Sequence, residues 1–150
     1  MKRTAALLGA IALVVCCWFT GAPQAMADEF ISHAPKTASA YIIEPQNGDI
    51  VTSPFSIQFG LSGMEVAPAG VEKANSGHHH LLVDVAELPE MKVSLPKSDS
   101  VRHFGKGQIE TELTLPPGEH TLQLLLGNHL HIPHDNPVLS DKITITVEPS

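Results

Sequence analysis

Phe55-Ser56-Ile57-Gln58-Phe59-Gly60-Leu61 sets an apolar side chain at every second position, with a small or polar one between. Successive residues of a strand point to opposite faces, whereas the apolar residues of a helix recur at three and four, so this stretch reads as a strand with one buried face. Working outward, the alternation returns at Ile109, Thr111, Leu113 and Leu115, at Leu122, Leu124 and Leu126, and at Ile143, Ile145 and Val147. Turn-forming sequences separate these runs, notably Pro45-Gln46-Asn47-Gly48 and Pro116-Pro117-Gly118. Further strands are expected over Ala40 to Glu44, with Ile50 and Val51 beyond the turn, over His78 to Val85, and, short and irregular, around Met91, Val93 and Leu95. No amphipathic helix, internal repeat or low-complexity tract stands out. About seven short strands predict an all-β domain, an immunoglobulin-like Greek-key β-sandwich, with an open Greek-key barrel as the alternative.

The N-terminus has a different character. Lys2 and Arg3 precede an apolar stretch from Ala5 to Phe19 and the small-x-small sequence Ala25-Met26-Ala27, the three parts of a secretory signal. The expected organisation is a cleavable signal at 1–27, a flexible leader at 28–39 that includes His33, and the β-sandwich domain at 40–150. The apolar stretch is shorter than the roughly 20 residues that span a bilayer, so no membrane insertion is expected after cleavage. Both cysteines, Cys16 and Cys17, fall within the signal, which leaves no disulfide, thiolate ligand or thiol nucleophile. Loss of Lys2 and Arg3 makes the charge more negative than the −7 of the whole chain, which disfavours nucleic acid as a partner and is compatible with attraction of cations. A bacterial periplasmic or secreted location follows from this reading.

The conspicuous chemistry is histidine. All nine histidines lie beyond residue 27, and most are bunched in Gly77-His78-His79-His80, Arg102-His103-Phe104 and Asn128-His129-Leu130-His131-Ile132-Pro133-His134. Imidazole is a common nitrogen donor to transition metals, and residues i and i+2 of a strand share a face, so His78 and His80 form a natural pair. His129 and His131 would do the same in an extended loop. In the expected sandwich, the three clusters converge on one pole. The candidate metal ligands are therefore His78, His80, His103, His129, His131 and His134. An all-imidazole set without cysteine suits a copper ion, with zinc as the alternative, and Met64 would add a soft ligand if copper(I) were handled.

Other residues carry a plainer reading. His79 is in phase with Leu81, Val83 and Val85 and is expected in the core, buried and hydrogen-bonded. His120 opens a strand after a Pro-Pro-Gly turn and is expected at the opposite pole as a hydrogen-bonded corner residue. Asp84 and Asp135 serve either ligand imidazoles from behind or local turns. Gly105-Lys106-Gly107-Gln108 lacks the length and the following helix of a phosphate-binding loop.

Gly60-Leu61-Ser62-Gly63-Met64, Pro68-Ala69-Gly70, Gly77-His78-His79-His80-Leu81-Leu82, His103-Phe104-Gly105-Lys106-Gly107-Gln108 and His131-Ile132-Pro133-His134, taken together, resemble a bacterial family of small exported domains, domain-of-unknown-function family 4399. The resemblance runs from about Tyr41 to Val147. It implies export and a compact β domain and brings no activity or ligand with it. This chain has Ile109 where the family pattern has threonine.

Three functions are compatible with these residues. The first is a periplasmic histidine-rich metal-binding protein that buffers, carries or delivers its ion, with a transition metal ion and a periplasmic protein as partners. The second is a β-sandwich interaction module that binds a protein or cell-envelope component without metal. The third is a metal-dependent oxidoreductase, which needs the same site plus an open coordination position. No serine sits in a nucleophile elbow and no carboxylates are paired for acid-base work, so the sequence offers no catalytic residues of its own.

Overall fold

The computed structural model describes residues 30–149, so the expected signal at 1–27 lies outside the described residues. The alternation at Phe55 produces strand β3 (Phe55–Ser62), which buries Phe55, Ile57 and Phe59 and leaves Ser56 exposed. It lies between β1 (Ser39–Glu44) and β7 (Glu110–Leu113), antiparallel to both, with Ile42 opposite Phe59 and Phe55 opposite Leu113. This is the smaller sheet.

The larger sheet runs β2 (Ile50–Thr52), β9 (Ile143–Glu148), β8 (Gly118–Gly127), β5 (Ser76–Val83) and then β4 (Glu65–Val66), while β6 (Val101–His103) also pairs with β5. β4 meets β5 at Ser76 and Gly77, and β6 meets it from His80 to Leu82, so the two short strands share one edge of β5 in succession. The pairs β2–β9 and β4–β5 are parallel and the others antiparallel. The chain therefore changes sheets between β1 and β2, across the Pro-Gln-Asn-Gly turn.

Phe55, Ile57, Phe59 and Leu113 of the smaller sheet meet Leu81, Val83, Leu122, Leu124, Leu126, Ile145 and Val147 of the larger in one apolar cluster. Each such side chain contributes about 1.5–3 kcal/mol by leaving water. The result is an all-β sandwich with no helix long and apolar enough to cross a membrane among the described residues.

Three departures from the expected elements matter for the site. The described residues form nine strands where about seven are expected, because β2, β4 and β6 are too short to leave a period in the sequence. The strand expected around Met91 to Leu95 does not form. Pro89 and Pro96 flank it, Val93 is exposed, and Met91 and Leu95 instead pack with Leu82, Val101 and Leu125 on the outer face of the larger sheet. That loop converts the outer face into a second, smaller core, which is why all eight residues of β5 are buried rather than every other one. Finally, the segment expected as a leader lies against the domain: Ala34 is fully buried in the main core and its N–H donates to the Asp135 carboxylate.

Candidate metal centre

Pleating puts His78 and His80 on the outer face of the larger sheet, opposite to the face that carries His79, Leu81 and Val83 into the main core. Antiparallel pairing then sets His103 of β6 directly beside His80. The loop after β8 adds His131. Its backbone has a positive φ of 67°, unusual for a residue with a side chain, and this conformation brings the ring back over the sheet. The ring centroids of His78, His80, His103 and His131 all lie 4.5–5.9 Å from one another.

Two glycines make room for these rings. A Cβ at Gly127 would sit 2.7 Å from Cε1 of His80, and one at Gly105 would sit 2.2 Å from Cε1 of His103. Neither position tolerates a side chain while the imidazole stays where it is. Asn128 fixes the loop: its Oδ1 accepts the N–H groups of Leu130 and Ile132, its Nδ2 donates to the Phe30 carbonyl, and its own carbonyl accepts from His131 N–H. The His131 carbonyl in turn accepts from Leu95 N–H, which ties the two covering loops together.

Both ring nitrogens of His78 and His80, and Nε2 of His103, are buried and have no hydrogen-bond partner among the described residues. A neutral imidazole carries one donor and one acceptor, and each group left unpaired in the interior costs about 1–3 kcal/mol. Burial first, then the neighbouring histidines, holds His78 down at about 4 and His80 at about 3, and burial also lowers His103. At neutral pH these rings are uncharged, with lone pairs free. One ring nitrogen from each of His78, His80 and His103 lies within 4.8 Å of the others. Ligands at a metal–nitrogen distance of about 2.0–2.1 Å stand about 3.3 Å apart in a tetrahedral site, so closure around an ion takes small side-chain rotations.

Four of the six expected ligands thus come together, on the outer face of a sheet and not at a ring of loops. Strands supply His78, His80 and His103, and a loop supplies only His131. His129 lies outside the ring cluster, on a surface cleft beside Phe30, Ile31 and Glu72. The expected pairing of His129 with His131 needs an extended loop, and the positive φ at His131 removes that alternation. His134 is buried, and its Nε2 donates to the Ser76 carbonyl at 3.2 Å. Met64, weighed as a soft ligand, packs against the main core.

The remaining histidines sort by their partners. His79 is in the main core with its ring 5.3 Å from that of Phe59, as its phase implied, but neither of its nitrogens has the expected hydrogen bond. His120 occupies the expected corner: its Nδ1 bonds to the Asp84 carboxylate at 2.7 Å and its Nε2 to the Pro116 carbonyl at 2.9 Å. Asp84 also accepts from Thr121 N–H, so its role is at this corner and not behind a ligand imidazole. Asp135 holds the His33 ring and the Ala34 backbone. Asn128 and Gly127 escaped the sequence reading, although a Gly-Asn pair at the end of a strand is a turn signal that pointed to an organised loop.

No curated protein and no solved structure matches the chain. A family model described as Domain of unknown function (DUF4399) matches residues 57–148, a span that contains all four clustered histidines, both glycines that admit them and Asn128. The chain belongs to that family.

Proposed function

We propose that the domain binds a transition metal ion through His78, His80, His103 and His131. The observation that supports this most strongly is the meeting of four imidazole rings from three separate stretches of chain, with buried nitrogens on His78, His80 and His103 that have no hydrogen-bond partner among the described residues. A set of apolar residues would fill this space at lower cost, so the unpaired nitrogens make sense as lone pairs awaiting an ion.

Copper is the favoured ion. Nitrogen donors bind copper(II) above zinc in the ordinary affinity order, and nothing in the donor set selects against it. The packing of Met64 in the core removes one argument for copper(I), so copper(II) with zinc as competitor is the reading that remains. Exported by the signal expected at its N-terminus, the protein would buffer, carry or deliver the ion in the periplasm. Burial holds His78 down at about 4 and His80 at about 3, so at these two ligands protons compete with the ion less than they would at a free imidazole.

Thermal unfolding of the untagged protein with and without copper(II) tests this. Binding to the native state alone stabilises it by an amount that grows with the logarithm of ligand excess, about 2.7 kcal/mol at a hundredfold excess over Kd, so Tm rises with copper and a chelator reverses the rise. A Tm indifferent to copper, zinc and chelator would leave a metal-free interaction module.

A further inference from the structure

A cleft of about 220 Å³ opens against the histidine cluster, lined by His80, His103 and His131 on one side and by Ser94, Leu95, Pro96 and Lys97 on the other. Among the described residues no acidic side chain lines it. Lys97 is exposed, makes no ion pair or hydrogen bond among the described residues, and lies close enough to oppose protonation of His103. A lysine is an odd neighbour for a cation site, because it repels the ion.

The charge balance explains it. Imidazole ligands bring no negative charge, so the charge of a divalent ion is left wholly uncompensated, and a buried ion without a counter-charge is costly. Among the described residues that line the cleft, the charged side chain other than the histidines is that of Lys97. We infer that the bound ion keeps a coordination position facing this cleft, and that a small monoanion fills it, paired with the Lys97 ammonium. This rests on the metal reading above and adds to it a second ligand class and an open side. His80, buried at 1 % exposure with both nitrogens unengaged, lines the cleft and connects the two.

The test uses azide as the monoanion and the copper(II)-loaded protein. Azide bound to copper(II) gives a charge-transfer absorption band, and titration of that band yields the azide Kd for wild type and Lys97→Met. The expected result is a saturable band in wild type and a Kd raised about two- to fivefold in Lys97→Met, the size of a single exposed charge interaction. Copper affinity should not fall in the variant, since a repelling charge has been removed. Copper binding without an azide band, or an azide Kd equal in the two proteins, overturns the inference and leaves the metal site standing. Failure of copper itself to bind overturns both.

Discussion

Two histidine regions sit on the same sheet and could hardly differ more in their partners. At the corner between β5 and β8, His120 has a carboxylate on one nitrogen and a carbonyl on the other, two acceptors that favour the protonated ring. Burial alone would lower its pKa, but the Asp84 hydrogen bond, the Pro116 carbonyl and the Asp84 charge raise it above the ordinary value. In the outer-face cluster the rings pack against one another, no carboxylate among the described residues bonds to them, and burial lowers the pKa values of His78, His80 and His103. The same residue type is a strut in one place and a ready ligand in the other. Accounting for each nitrogen's partner, rather than counting histidines, separates the two.

The comparison breaks most visibly on ligand removal. His78→Ala together with His80→Ala should weaken copper binding by more than the 10–100-fold that follows loss of an outer partner, whereas His120→Ala should leave copper affinity unchanged; isothermal calorimetry reads both. Next in size is stability at the corner. His120→Ala removes two partly buried hydrogen bonds, one to a charged group, and should cost about 1–3 kcal/mol by urea unfolding at pH 6.

The pH dependence of the metal-free protein sharpens the contrast, because the two regions carry opposite signs. The stabilisation from His120, whose folded pKa is raised, is fully present below its unfolded value of about 6.5 and is lost as pH rises through the folded value. His78, His79 and His80, whose folded pKa values are depressed by burial, favour the native state fully above about 6.5 and progressively less as pH falls towards about 4, about 4 and about 3. Urea midpoints should therefore fall on the acid side in wild type, and His120→Ala should be most damaging on the acid side of neutrality and least damaging on the alkaline side.

Smaller effects follow behind the rings. Asn128→Ala releases the loop that carries His131 and should weaken copper binding about tenfold, as loss of a positioning partner does. His79→Phe should change copper affinity least of all. It replaces an unpaired imidazole beside Phe59 with an apolar ring and should leave stability equal or raised by about 1 kcal/mol.

Strand alternation made β3, β7, β8 and β9 legible, because each has one face in the main core and periodicity reports that asymmetry. It was silent on β4 and β6, which are two and three residues long, and yet β6 is what sets His103 beside His80. It misjudged the run from Met91 to Leu95, whose apolar residues serve an irregular cover and not a ladder. At the site, the spacing of His78 and His80 was readable because two residues along a strand return to one face. The exclusion of His129 was not, since it depends on one backbone angle at His131, and the share of His134 depends on a carbonyl 58 positions away in sequence.

The most direct test of the account is a copper(II) titration of six single variants, His78, His80, His103, His129, His131 and His134 each changed to Ala. Binding should weaken in the four that form the ring cluster and stay near wild-type affinity in His129→Ala and His134→Ala. Equal losses across all six, or a loss confined to His129 and His134, would contradict it.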